Sequence, residues 1–393
     1  MTGDCHSQKP PFSLHCTRRL TAGYFIAFAS LGMARSFLGP SLLEFSHNTS
    51  VQLGEISFLF VVLGLGNLAG NWLGGWLLDR LPGNPIILTV IVSNGLLLAL
   101  APALKTLSLL AAVILVLGFG YGVLETGGNT MTMWLHRSKA GPYLSGLYLF
   151  TGIGALVAPA LIGLSLEHLG TIHPAFIALG LIALPVVLVL LRLPSPLSQS
   201  QETNQAGGPI DYLLVGFVCL LYFLCVGSQA SFSGWIYTYA VQLNLATELQ
   251  AAYLTSAYWM AQTVGLLLSI LLLMHVRPQK VLVGVLTTGL LSLVFLLTWP
   301  NALSTWIGTI GLGLGMAPLF PAAFAFVGKR MTISGQMNGW FLSGASVGAM
   351  SIPWVAGQIV AANGPRSGML LVAGLFTLAF LLLLGYLLRA RTT

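Results

Sequence analysis

Glu125 lies inside the apolar run that reads from about 107 to 134, and no other carboxylate of the chain sits well inside such a run. A carboxylate in a bilayer is expensive, and residues of this kind are usually functional. Gly118, Gly122, Glu125 and Asn129 are spaced 4, 3 and 4, one stripe of a helix. The glycines allow a neighbouring backbone to approach closely. Glu125 and Asn129 stand one turn apart and can share a ligand or a cation. Glu125 can exchange a proton, since removal from water favours the neutral acid, or it can ligate Na+ together with the Asn129 oxygen. A purely structural role, a protonated Glu bonded to the next helix, is the third reading.

Arg35 is the other charge within an apolar run. It can bind hydroxyls or an anionic group of a substrate, or pair with Glu125 across a cavity. If helix 1 starts later, Arg35 instead snorkels to an outer aqueous mouth. Phe232, Trp235 and Tyr239 are spaced 3 and 4, with Ser228 one turn before them. An aromatic wall with amides suits a sugar, which has apolar C–H faces and a ring of hydroxyls; Gln229, Gln262 and Asn338 are the candidate amides. Aromatics also mark the interfacial belt, a reading that fits Tyr237 and Tyr239 better than the mid-segment Trp235.

These residues need long membrane elements to hold them. The chain is 56% hydrophobic and 6% charged, against about 25% charged in soluble domains, so an integral, multi-pass protein in a lipid bilayer is expected. Twelve helices read at approximately 20–43, 55–78, 85–104, 107–134, 141–165, 174–193, 211–241, 250–274, 281–299, 303–327, 335–361 and 366–388. Ten-residue alternating strands are absent, which argues against a barrel. The net charge of +7 is a matter of topology. With both termini in the cytoplasm, all Lys and Arg except Arg35, Lys105 and Arg366 fall on that side, and a nucleic-acid partner is not expected. The polar, short N-terminal stretch gives no cleavable leader, and the cysteines suggest no disulfide framework or metal centre. No nucleophile–base set is present, so an enzyme is not expected.

The segment from Leu193 to Asp211 is the only long polar interruption, a flexible linker by composition. The expected organisation is a cytoplasmic tail at 1–19, six helices over 20–193, a linker at 194–210, six helices over 211–388 and a short cytoplasmic tail at 389–393. The halves echo each other. Gly118, Gly120 and Gly122 return as Gly311, Gly313 and Gly315 about 193 residues later, and Gly154 before Pro159 returns as Gly348 before Pro353. Such tandem halves place a substrate near mid-membrane between two bundles.

Between helices 2 and 3, GGWLLDRLPGNP resembles the loop signature of the major facilitator superfamily: Gly75, Asp79 and Arg80 fit, while Asn84 and Pro85 stand where basic residues are expected. A tight turn with an acid and a base can latch neighbouring helix ends, although a solvated pair alone is worth little. The second-half counterpart, MHVRPQK, lacks the acid. GVLETGGN, PYLSGLYLFTGIGALVAPAL, VGSQASFSGWIYTYA and APLFPA resemble the fucose:proton symporter family, nearest its sodium-dependent glucose transporter branch. The resemblance implies an all-α fold of two pseudo-symmetric six-helix bundles and a sugar or similar polyol as substrate. It further implies Na+ or H+ cotransport, with Glu125, Thr126 and Asn129 as the polar cluster of helix 4. Gln229 replaces an acid of that pattern and Leu266 replaces a base, a joint loss that avoids leaving one charge buried alone but also removes one cation ligand.

The expectation is a monomeric secondary active transporter in the plasma (inner) membrane, moving a monosaccharide by alternating access. A uniporter, an exporter of amphipathic or anionic compounds, and a transport-dead receptor are the rivals. The NTS run at Asn48 is a glycosylation pattern that matches easily by chance.

Overall fold

The computed structural model describes residues 13–196, 212–328, 330 and 335–392. Helix α1 comprises Leu14–Ser36 and, after a bend of 52°, Leu38–Thr49. The next are α2 (Leu53–Leu78), α3 (Gly83–Leu100), α4 (Leu107–His136), α5 (Ala140–Leu169) and α6 (His173–Leu190). The second half holds α7 (Tyr212–Gln242), α8 (Glu248–His275), α9 (Pro278–Thr298), α10 (Ala302–Gly328), α11 (Gly335–Asn363) and α12 (Pro365–Thr392). Among the described residues, eleven helices are long and apolar enough to cross a membrane, and the bent α1 makes twelve.

α1 begins earlier than the expected 20, because the Ser13 hydroxyl accepts from the Cys16 amide at 3.3 Å and caps a helix that already contains Arg18 and Arg19. Its bend falls just before Gly39 and Pro40, where proline removes a helical hydrogen bond. Breaks in α6 at Leu184 and in α10 at Ala317 likewise precede prolines, Pro185 and Pro318. Pro159 and Pro353, by contrast, lie inside continuous helices. The expected linker falls outside the described residues save for its first few positions.

The packing repeats between halves. α1 packs on α5 as α7 does on α11, α2 on α4 as α8 on α10, and α3 on α6 as α9 on α12. Gly154 abuts the backbone of Ala29, and Gly348 abuts that of Phe223. Both members of the second pair stand 194 positions after their counterparts (223 less 29, 348 less 154), so the Gly–Pro echo is a repeated close helix crossing. The glycine triplets behave differently. Gly118 and Gly122 meet α2 and Gly120 meets α3, whereas Gly313 meets α8 and Gly311 and Gly315 meet α9. Residues two apart point to different sides of a helix, so a small offset between the halves exchanges the neighbours.

Short connections make successive helices antiparallel, with both chain ends on one side, here termed the terminal side. Three hydrogen bonds between described residues join the bundles. Gln358 Nε2 donates to the Gly54 carbonyl at 2.7 Å, Ser57 Oγ to the Trp354 carbonyl at 3.4 Å, and Ser256 Oγ to the Leu156 carbonyl at 2.8 Å. All three lie toward the opposite, far side. Near mid-helix, Gly64 still meets Met350 and Gly152 meets Thr263. Beyond that point on the terminal side, a Cβ on Gly75 or Gly339 would find nothing within 4 Å. The bundles are therefore closed at the far side, and α2 and α11 stand apart at the terminal side.

Candidate functional site

The break in α1 ends its first segment one residue after Arg35, so the guanidinium sits at a helix C-terminus, where positive charge is favoured. From there Arg35 Nη2 donates to Glu125 Oε1 at 2.5 Å. This is the ion pair found among the described residues. The two side chains are 39% and 20% exposed although they stand at the middle of their helices. Such exposure deep within a membrane bundle means that the pair faces a cleft rather than packed protein.

Around it, Asn129 Nδ2 donates to Tyr148 Oη at 3.4 Å. The Tyr148 ring meets Phe28 edge-on at 6.2 Å, which fixes α5 against α1 next to the charges. Glu125, Asn129, Arg35 and Tyr148 thus converge from three helices. Thr126 turns away toward α2. Its hydroxyl donates to Asn71 Oδ1 at 2.9 Å, and Asn71 Nδ2 donates to Asn67 Oδ1 at 3.0 Å. The close seam that carries this ladder depends on Gly118 and Gly122, where a Cβ would overlap the carbonyls of Leu63 and Asn67.

In the second bundle, Gln262 Nε2 donates to Gln229 Oε1 at 3.3 Å, and Gln229 Nε2 donates to the Met316 carbonyl at 3.5 Å. Phe232 and Trp235 lie elsewhere. Both are buried, and Trp235 Nε1 donates to the Pro353 carbonyl at 2.9 Å while its ring faces Phe60 at 6.4 Å. Trp235 thereby takes part in the far-side closure of this conformation, while Phe232 packs on Tyr258 within the second bundle. The Asn338 side chain is outside the described residues. Gly75, Asp79 and Arg80 end α2 on the terminal side. Asp79 and Arg80 are exposed, and the guanidinium lies 4.2 Å from the Trp76 ring centroid.

Tyr148, Asn67 and Asn71 were not singled out by sequence reasoning. A polar pair four apart in an apolar helix is a signal for Asn67 and Asn71, whereas Tyr148 resembles any other membrane tyrosine. Among the described residues no cluster of three or more His, Cys, Asp or Glu could hold a metal ion; Glu125 and Asn129 offer oxygens on one face for a monovalent cation.

Residues 24–341 match the model of the Major Facilitator Superfamily. The chain belongs to the major facilitator superfamily. This facilitator is 30% identical over 359 residues to sodium-dependent glucose transporter 1 of Xenopus laevis, a match covering 83% of this chain and 73% of that protein. It is 25% identical over 370 residues to the Homo sapiens protein of the same name, covering 84% and 71%. Among solved structures it superposes on the nucleoside transporter NupG with a TM-score of 0.71 at 16% identity, covering 95% of this chain and 98% of that one. A D-xylose–proton symporter gives 0.75 at 13% identity, covering 93% and 97%. At these identities the structural likeness establishes the fold. The facilitator is accordingly an integral, multi-pass membrane protein with the two-bundle architecture of a transporter.

Proposed function

We propose that this facilitator moves a monosaccharide by alternating access, and that Glu125 links the cycle to a Na+ ion or a proton. Membership of the superfamily and likeness to sodium-dependent glucose transporters support a secondary active transporter of small polar solutes. The observation that carries the coupling role is the Arg35–Glu125 pair facing the cleft. A cation or proton arriving at Glu125 competes with Arg35 for the same carboxylate. Displaced, the guanidinium is free to donate to the hydroxyls of a sugar, so ion and sugar occupancy favour each other. A ligand shifts a conformational equilibrium only through its differential affinity for the two states, and this exchange of partners supplies one.

The scale is reasonable. Three hydrogen bonds across the far side contribute about 1 kcal/mol each. Reversing an equilibrium from 1:99 to 99:1 takes about 5.5 kcal/mol, which two bound ligands can provide. The basic residues gathered on the terminal side support a cytoplasmic terminal side in this reading, with the plasma membrane as the expected location. In this reading the structure is the cytoplasm-open state, and Asp79 and Arg80 form a disengaged latch.

Counterflow of labelled D-glucose into proteoliposomes preloaded with unlabelled glucose tests the sugar reading. Transient accumulation of label, competed by excess hexose, is expected. Label that enters no faster than into protein-free vesicles contradicts it.

A further inference from the structure

The orientation of two amides in the second bundle is set by a backbone carbonyl. Met316 ends the first segment of α10, just before Ala317 and Pro318 interrupt the helix. Its carbonyl can only accept a hydrogen bond, so it takes the Nε2 of Gln229 at 3.5 Å. Gln229 must then present its Oε1 to the other side, where Gln262 Nε2 donates to it at 3.3 Å. Gln262 is left with its Oε1 buried and without a hydrogen-bond partner among the described residues. One turn earlier on α8, the indole Nε1 of Trp259 is likewise without a partner. Tyr258 holds the Trp259 ring edge-on at 5.5 Å, and Phe232 in turn lies 5.4 Å from Tyr258, so the indole has little freedom to turn away.

Trp259 and Gln262 also lie at the seam between the bundles. Ser256 and Thr263, three residues before and four after Trp259, both touch α5, at Leu156 and Gly152. Beside that seam α8 therefore carries a buried donor and a buried acceptor three residues apart, neither with a partner among the described residues. Leaving such groups unmet in low dielectric is costly, and sites that retain them discriminate strongly for a ligand that pairs them.

We propose that Trp259 Nε1 and Gln262 Oε1 form a hydroxyl-reading subsite that selects a neutral polyol over an anion. A hydroxyl group both accepts and donates, so one hydroxyl, or two neighbouring ones, satisfies both atoms. A carboxylate or phosphate oxygen satisfies the indole N–H but meets the Gln262 oxygen with like partial charge. The helix break at Ala317–Pro318 acquires a purpose, since the Met316 carbonyl dictates which end of Gln262 faces the substrate. The proposal rests on the sugar reading and names the residues on α8 that enforce it.

The test measures binding of D-glucose and each of its monodeoxy analogues to the purified full-length protein and to Trp259→Phe, which keeps a ring and removes only the donor. Gln262→Met, which removes the acceptor at similar length, is the second variant. Each variant is expected to bind glucose about tenfold more weakly, the worth of one hydrogen bond to a neutral group. The native protein is expected to bind one particular deoxy analogue about tenfold more weakly than glucose, while Trp259→Phe binds that analogue and glucose alike. Glucose binding with the same relative loss for every analogue in native and variant proteins overturns the subsite and leaves the sugar reading standing. No measurable hexose binding by the native protein overturns both.

Discussion

Arg35 on α1 and Glu125 on α4 meet at 2.5 Å although ninety positions separate them in sequence. The pair is possible because α1 breaks immediately after Arg35 and because α4 carries its acid on the stripe that begins with Gly118 and Gly122. Membrane bundles rarely retain such charges without a use. A second feature is the one-sided closure between bundles, whose hydrogen bonds among the described residues all lie toward the far side. The account of function joins these two facts.

The seam between α2 and α11 can be followed beyond its present contacts. Gly64 meets Met350; eleven residues further along α2 is Gly75, and eleven residues back along α11 is Gly339 (64 plus 11, 350 less 11). Both have open space now. In a chain lacking its native cysteines, Gly75→Cys with Gly339→Cys is expected to cross-link only when the terminal side is closed. Cross-linking should arrest transport, and reduction should restore it. Equal cross-linking under conditions that favour either state would contradict the proposed closing of this seam.

The far-side closure should be tunable. Gln358→Ala removes the hydrogen bond to the Gly54 carbonyl, worth about 1 kcal/mol. The ratio of far-side-open to far-side-closed molecules should rise about fivefold. Labelling of a reporter cysteine near Ala361 by a membrane-impermeant maleimide reads this directly, with faster labelling expected and unchanged labelling as the contrary result.

Asn84 occupies a position where the superfamily loop signature has a basic residue, and it has become a buried hub. Its Oδ1 accepts from Tyr24 Oη at 2.8 Å, its Nδ2 donates to the carbonyls of Leu193 and Pro194 at 3.0 and 3.2 Å, and its backbone amide donates to Ser195 Oγ at 3.0 Å. It ties the end of the first bundle back to the α2–α3 turn. Asn84→Ala leaves buried groups unpaired and is expected to cost roughly 1–3 kcal/mol. The apparent melting temperature should fall by several degrees, and Asn84→Asp, which loses the donor, should also be destabilised. An unchanged melting temperature in Asn84→Ala would show that the hub contributes nothing to stability.

Much of this architecture is legible in the residues themselves. Low charge and long apolar runs foretell the spans, and the Gly154 and Gly348 echo foretells a repeated crossing that the Ala29 and Phe223 contacts make concrete. The Glu125 and Asn129 stripe follows from helical spacing, and an Arg35–Glu125 pair is one of the arrangements that spacing allows. Periodicity says which residues share a face but not which helix lies opposite. For that reason the turn of Thr126 toward Asn71, the approach of Tyr148 to Asn129 and the burial of Trp235 beneath Phe60 emerge only in three dimensions. Asn84 illustrates the same limit, since its partners come from α1 and from the stretch that follows α6.

The central claim is that Glu125 couples solute movement to an ion. Its most direct test is accumulation of D-glucose in proteoliposomes under an imposed inward Na+ gradient and, separately, an inward proton gradient, with native protein and Glu125→Gln side by side. The native protein should concentrate glucose above the external level under one of the two gradients, whereas Glu125→Gln should reach only equal concentrations while still exchanging glucose for glucose. Accumulation by Glu125→Gln equal to that of the native protein, or native uptake indifferent to both gradients, would contradict the account.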